Sequence, residues 1–307
     1  MSGRPAPRVL VCGDVINDIL VQTRGPLVHG DDNPATITTA PGGSAANQAA
    51  WMGRLGLDVV FAGRAGALDA GSHRRELARF GVKAHIAADD RAATGSIVVL
   101  VGPDGERTMI TDRGANLRLQ AGDVPAALLD GVALLHLTGY SFFAPGPRQV
   151  ALGLIARARR RNVPFSVDPG SAAFLRQVGA ASFLDWTGGA VACFPNHDEA
   201  AVLTGMADAP LDEGAEPAAM AASLARHYGA VALKLGPHGA VLAAGDDPPA
   251  WMAAAPATVC DTTGAGDAFC AGFVARWLTG GSVGDAAVSG AAAAALAVSA
   301  LGGRPRS

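Results

Sequence analysis

Aromatic residues are scarce in this 307-residue chain, at 5%, and no sign of charge dominates it. The formal net charge is −3, from 24 Lys and Arg against 27 Asp and Glu, and the longest basic run is Arg159-Arg160-Arg161. That triplet closes an amphipathic segment, where cations suit the negative end of a helix, so a nucleic-acid partner is not expected. The four cysteines, Cys12, Cys193, Cys260 and Cys270, stand apart, without the close pairs that zinc ligation or a C-x-x-C redox site needs. Each lies in or beside an apolar run and reads as a small hydrophobe in a reducing, cytoplasmic setting. Long hydrophobic runs are missing too. Residues 286–300 are alanine-dominated, interrupted by Ser and Gly, and shorter than the roughly 20 residues that span a bilayer. The apolar run at residues 9–12 is too short for a signal-peptide core. Neither membrane insertion nor export is expected.

What is present is a repeating α/β pattern. Short β-branched runs recur at "RVLVC", "DVVFAG", "ALLHLT", "VPFSVD", "AVACF" and "AVALKLG". Helix-like segments lie between them, among them residues 45–55, 147–161 and 220–228. This alternation predicts a mostly parallel sheet covered by helices on both faces, built as one α/β domain over residues 1–307. Two stretches break it. Residues 19–40 are polar and punctuated by Pro and Gly, and residues 95–111 read as a hairpin turning at Pro103-Asp104-Gly105. Together they predict a small β lid projecting over the carboxyl ends of the strands, where open α/β sheets bind ligands.

The chemistry concentrates in "DTTGAGDAF", residues 261–269. Glycines let backbone approach a ligand closely, and a helix is predicted from Ala268 onward. The N–H groups of Gly264, Ala265 and Gly266 would then form an anion site at a helix N-terminus. A carboxylate there would repel a bound phosphate. Asp267 is therefore read as a base that takes the proton of an attacking hydroxyl, while the N–H groups stabilise charge on a transferring phosphoryl group. A helix-capping role is the alternative. The stretch matches neither G-x-x-x-x-G-K-[ST] nor G-x-G-x-x-G, so no P-loop or dinucleotide fold is predicted.

A second glycine-rich stretch, "PGGSAANQAAWMGRLG", places Gly42-Gly43 before an Ala-rich helix carrying Asn47. Taken together, the two stretches resemble the signatures of the PfkB, or ribokinase-like, family of carbohydrate and nucleoside kinases. Gly42, Gly43, Asn47, Gly56 and Gly66 fit the first signature, and residues 261–274 fit the second. The resemblance implies a ribokinase-like fold, ATP as phosphoryl donor, Mg²⁺ as cofactor, a small sugar as acceptor and a homodimer formed through the lid. It places Asp18 on substrate hydroxyls, with an Asx turn as the alternative, and brings Asp14 forward as a further substrate contact. "FPNHDEA" is similar to the family's N-x-x-E motif. Asn196 and Glu199 would be oxygen ligands that order Mg²⁺ and the phosphates, although an N-cap with Glu in the first turn explains them equally. His197 between them is not expected to bind metal, and His136 and His238 read as packing or loop residues. "LKLGPHGA" looks like the nucleotide loop, with Gly236, Gly239 and Lys234, the last reaching either a phosphate or solvent. Asp261 and Thr263 match positions that hold K⁺ in many relatives, and the C-terminal "LGGRPRS" would complete such a site.

Departures from the family bear on the substrate. No acid occurs in "LLHLTGY", where ribokinases carry Glu, and in "VDPGSAAFL" no arginine follows "DP" until Arg176, where fructokinase-like relatives have one sooner. The lid segments contain no Phe, Tyr or Trp to stack on a nucleoside base. A small sugar or polyol is the expected acceptor. A nucleoside, or a sulfonated or phosphorylated sugar met by Arg24, Arg107 or Arg113, remains the alternative, and a non-catalytic binding protein would have no use for Asp267.

Overall fold

The computed structural model describes residues 5–101, 107–206 and 215–306. The first part of the chain forms β1 (Arg8–Cys12), β2 (Ile16–Thr23), β3 (Ala35–Gly42), α1 (Ser44–Arg54), β4 (Asp58–Gly66), α2 (Ala67–Ala78), β5 (Lys83–Asp89), β6 (Thr94–Val101) and β7 (Arg107–Gly114). Then come β8 (Leu134–Thr138), α3 (Pro145–Arg160), β9 (Phe165–Asp168), α4 (Ala172–Val178), α5 (Ala180–Thr187), β10 (Ala192–Cys193), α6 (His197–Thr204) and α7 (Ala215–Ala225). The chain ends with β11 (Ala230–Lys234), β12 (Ala240–Ala244), β13 (Ala250–Met252), α8 (Ala265–Leu278) and α9 (Val283–Val298).

Nine strands make one sheet in the order β13-β12-β11-β10-β9-β8-β1-β4-β5, parallel from β11 to β5 and antiparallel at the β12-β13 edge. The period of two explains its two cores. In β1, Val9 and Val11 enter the core under α1, α2, α8 and α9, while Leu10 and Cys12 enter the core under α3 to α7. Strand β4 repeats the pattern, with Val59 and Phe61 on the first side and Val60 and Ala62 on the second. Runs buried on both faces are what a parallel sheet requires, and this is why these segments read as continuous apolar stretches.

The lid is a separate four-stranded sheet of order β3-β2-β6-β7. Strands β2 and β3 pair antiparallel from Ile16↔Gly42 to Thr23↔Ala35, β6 lies parallel to β2, and β7 returns antiparallel to β6. The hairpin expected over residues 95–111 is thus β6-β7, although its turn at Pro103-Asp104-Gly105 lies outside the described residues. The lid strands begin at Ile16 and end at Gly42, further out than the predicted 19–40, because pairing continues to the base of the lid. Among the described residues no helix is long and apolar enough to cross a membrane.

Candidate active site

The site forms where β1 leads into the lid and where α1 and α8 begin. Helix α8 starts at Gly264, whose φ of +76° is left-handed, and a Cβ there would stand 2.4 Å from the Gly303 Cα, so only glycine fits. Ala265, Gly266 and Asp267 are the first three helical residues, whose N–H groups have no carbonyl within the helix. The Ala265 N–H turns toward the Thr262 carbonyl at 3.3 Å, so the expected anion site rests more on its neighbours.

Asp267 makes no hydrogen bond that caps its own helix. Its carboxylate instead accepts bonds from three side chains of α1: Ser44 Oγ at 2.7 Å, Gln48 Nε2 at 3.0 Å and Asn47 Nδ2 at 3.1 Å. Burial pushes its pKa up to about 7, with Asp168 adding to the rise and the donors from Gln48, Ser44 and Asn47 opposing it. Such a carboxyl is half-ionised near neutral pH, the range that suits a general base.

Behind Asp267 lies a buried polar chain that no sequence motif announced. Gln48 Nε2 also faces Asp168 Oδ2 at 2.8 Å and Ser44 Oγ at 3.1 Å. With the amide nitrogen among these acceptors, the Gln48 Oε1 is left to His136 Nε2, with which it makes a close hydrogen bond. His136 Nε2 is then the donor, and its Nδ1 accepts from the Ser166 hydroxyl at 2.7 Å. Burial holds the imidazole's pKa down to about 4, so it is neutral, as that tautomer requires. His136 is fully buried against Phe194, as expected of a packing residue, and in addition hydrogen-bonds the amide that holds Asp267.

Lys234 reaches inward rather than to solvent. Its Nζ donates to Asp168 Oδ1 at 3.0 Å and stands 3.2 Å from the point where a Gly266 Cβ would be. Burial opposes the charge, but Asp168 and Glu199 more than reverse that effect, so the ammonium persists beneath the α8 N-terminus. From this point a cavity of roughly 640 Å³ opens, lined by Gly236, Gly239 and Gly266 and by apolar groups including Met252, Pro256 and Phe269. Its size and apolar walls suit a flat ligand whose polar end meets Lys234 and Gly266.

Asn196 and Glu199 form a reciprocal capping box on α6. The Asn196 Oδ1 accepts the Glu199 N–H at 2.9 Å, and Glu199 accepts the Asn196 backbone N–H at 2.9 Å and its Nδ2 at 3.0 Å. The carboxyl is buried, and burial together with Asp168 pushes its pKa up. Both oxygens are engaged in the cap, so the helix-start explanation holds in full, and direct ligation of an ion would have to share them. His197 is the first residue of α6, and His238 is exposed in a turn after β11.

The Asp261 carboxylate joins two loops: it accepts the Thr263 N–H at 2.9 Å, the Thr263 hydroxyl at 2.8 Å and the Gly302 N–H at 2.9 Å. The C-terminal stretch is thereby brought beside residues 261–264, as the sequence had implied.

On the lid side, Asp14 and Asp18 part company. Asp14 is buried and spends its oxygens on the start of α1, accepting from the Ser44 N–H at 3.1 Å and the Ala45 N–H at 3.2 Å, with Thr138 Oγ1 at 3.3 Å. These bonds hold the start of the helix that Gly43 leaves without a side-chain cap, and a substrate contact would share the same oxygens. Asp18 receives no hydrogen bond from the described residues. Its carboxylate presses against Gly42, where a Cβ would come within 2.1 Å of Oδ2. Burial, reinforced by Asp14 and opposed by Arg304, pushes its pKa up to about 6. Arg113 lies 3.8 Å from Asp14 and 4.4 Å over the ring of Tyr140. Arg24 is exposed just beyond β2, and the Arg107 side chain lies outside the described residues.

The family model described as pfkB family carbohydrate kinase matches residues 6–306 of the chain. Ribokinase from Arabidopsis thaliana is 28% identical over 311 residues, covering 98% of this chain and 78% of the relative. An ATP-dependent ribose-1-phosphate kinase from Halopiger xanaduensis is 29% identical over 280 residues, covering 90% of this chain and 86% of the relative. Among solved structures, Arabidopsis thaliana ribokinase complexed with ribose and ATP superposes with a TM-score of 0.78 at 26% identity, covering 98% of this chain and 96% of that one.

Proposed function

The chain belongs to the pfkB family of carbohydrate kinases, and on that premise we propose that it transfers the γ-phosphoryl group of ATP to a primary hydroxyl of a small neutral sugar or polyol, with Asp267 as general base. The observation that carries this reading is the position of Asp267. It lies in the first turn of α8, next in the chain to Gly266 of the cavity, and is hydrogen-bonded to Asn47 of α1, the helix that begins just after Gly42, the neighbour of Asp18.

In this reading the nucleotide base occupies the apolar cavity bordered by Gly236 and Gly239, and the phosphates run to Lys234 and the first-turn N–H groups of α8. Asp18 accepts hydrogen bonds from sugar hydroxyls and sets the reactive one against Asp267. As that oxygen bonds to the γ-phosphorus, Asp267 takes its proton, the bond to the β-phosphate oxygen breaks with its electrons leaving on ADP, and the proton later passes to solvent. Lys234 and the N–H groups of Gly264 and Gly266 offset charge on the moving phosphoryl group.

Mg²⁺ belongs to the same proposal. Asn196, Glu199 and Asp168 carry the oxygens that would order an ion that keeps its waters and travels with the phosphates, sharing them with the α6 cap, Gln48 and Lys234. Bound there, the ion would neutralise phosphate charge. Buried Asp261 and half-buried Thr263 supply the oxygens on which a K⁺ ion would rest. Residues 1–307 would then work as one kinase domain, in the cytoplasm.

Two further observations favour a sugar over a nucleoside. The described lid strands contribute no aromatic ring, and the Tyr140 ring is covered by Arg113 and set edge-on to Phe143 and Phe174. A homodimer through the lid is supported by the face opposite Asp18. Register puts Ile19, Val21, Ile37, Val98, Leu100 and Ile110 on that side, with Ile37 64% and Ile110 58% exposed.

The test is ADP release from ATP with a panel of neutral sugars, sugar phosphates and nucleosides, with and without K⁺. A neutral sugar as best acceptor is expected. A nucleoside preferred tenfold or more would overturn the sugar assignment, and no acceptor at all would overturn the kinase reading.

A further inference from the structure

We propose that Arg304, delivered by the C-terminal tail, is a substrate-binding residue that works with Asp18 to read a neutral vicinal diol. The proposal deepens, and rests on, the sugar-kinase reading.

The tail is held in place by several independent contacts. Trp51 Nε1 donates to the Gly303 carbonyl at 3.0 Å, and the Gly302 N–H is fixed on Asp261. A Cβ at residue 303 would stand 2.5 Å from Asn47 Nδ2, so a side chain there would push the tail off the site. Arg304 is carried in this way to the edge of the cleft. Its Nη2 lies 3.3 Å from the Gly42 carbonyl and its Nε 3.4 Å from Asn47 Oδ1, the amide whose nitrogen holds Asp267.

The third nitrogen is the informative one. Arg304 Nη1 is inaccessible to solvent and has no acceptor among the described residues, and none of their carboxylates lies within salt-bridge distance of the guanidinium. A buried cation with an unfilled donor is costly, and the group's pKa is pulled down to about 10 by that burial, partly offset by Glu76 and Asp18. Asp18 is the complementary case, an acid with unfilled acceptors pressed against the same Gly42. Nη1 is closed to water as it stands, so a substrate hydroxyl would reach it only when the guanidinium turns toward Asp18. A hydroxyl placed between them would then satisfy both, donating its proton to the carboxylate and accepting from the guanidinium. Two adjacent hydroxyls would complete the set. An anionic substituent would satisfy Arg304 but meet Asp18, with Asp14 and Asp267 close behind, so the geometry selects a neutral polyol.

The experiment compares the parent enzyme with Arg304→Ala and Arg304→Lys, using the best sugar from the panel and its deoxy analogues, with KM measured for both sugar and ATP. The expected result is a sugar KM raised tenfold or more in Arg304→Ala, with KM for ATP within threefold of the parent and part of the loss recovered by Arg304→Lys. Removing the bridging hydroxyl from the sugar should cost the parent tenfold or more and Arg304→Ala under threefold. A sugar KM within threefold of the parent, or sugar and ATP KM rising together, would reduce Arg304 to a tail anchor. A phosphorylated sugar preferred to its neutral counterpart would overturn the neutral-diol assignment. Should Arg304→Ala not fold, Arg304→Lys alone carries the comparison and must raise the sugar KM selectively. A parent enzyme that turns over no sugar overturns both readings, whereas an active parent with an indifferent Arg304 overturns this one only.

Discussion

Replacing Gln48 with leucine removes the amide that grips Asp267 while keeping a side chain of similar bulk. The Gln48 Nε2 has two hydrogens and three acceptors within 3.1 Å, so Asp267 receives part of their worth. A hydrogen bond to a charged group contributes about 1.5–3 kcal/mol, and half of that is roughly 1 kcal/mol, close to one pH unit at 1.36 kcal/mol each. The sign follows from which form works: Asp267 is a base only when ionised, and its pKa already stands near 7. The parent kcat/KM should therefore rise with pH through about 7 and level off above it. Losing a donor to the ionised form moves that rise upward by roughly one unit, which leaves the variant about fivefold slower at pH 7 and closes the gap toward pH 9. The assay is direct ADP quantification from pH 5.5 to 9.5 without coupling enzymes. ATP ionises alike in both reactions and drops out of the comparison. His136 Nε2 would be left facing a methyl group, so a lower Tm is expected as well. An unmoved acid limb, or one displaced to lower pH, would refute the assignment of Gln48 as a donor that tunes the base.

Glu199→Ala should weaken the Mg²⁺ dependence of the rate more than sugar KM. If Glu199 is only half of the capping box, Tm falls by the amount that a lost cap costs, about 1 kcal/mol, and the Mg²⁺ titration stays put. Asp18→Ala should lower kcat/KM for the best sugar by about 10², from a charged hydrogen bond plus lost positioning, and an equally active variant would remove Asp18 from the cleft. Ile110→Asp should convert the expected dimer to monomer in light scattering, and an unchanged mass would show that the apolar lid face is not the interface.

Strands were legible because parallel strands buried on both faces must be apolar along their length, and β1, β4 and β8 read that way at once. The antiparallel edge of β12 and β13 was not, since its few alanines carry no period. Asp267 and the glycines before it stood out in the sequence, because an acid beside a glycine-rich helix start is a local contradiction. Its partners did not, for they lie about 220 positions away and meet it only when α1 packs on α8. The one available signal was Asn47-Gln48, two amides flanked by alanine pairs in the first half of the helix. Lys234 reads either way in sequence until Asp168 is placed beneath it, and Arg304 stood only as part of "LGGRPRS", the stretch that would complete a K⁺ site.

Asp267→Asn tests the central claim most directly, since the amide keeps the shape and nearly all the contacts but cannot take a proton. Single-turnover phosphorylation of the best sugar, measured with ATP binding on the same sample, should fall by about 10²–10⁴ with nucleotide affinity retained. Turnover within a few-fold of the parent would mean that Asp267 only ties α1 to α8, and that this kinase draws its base from elsewhere.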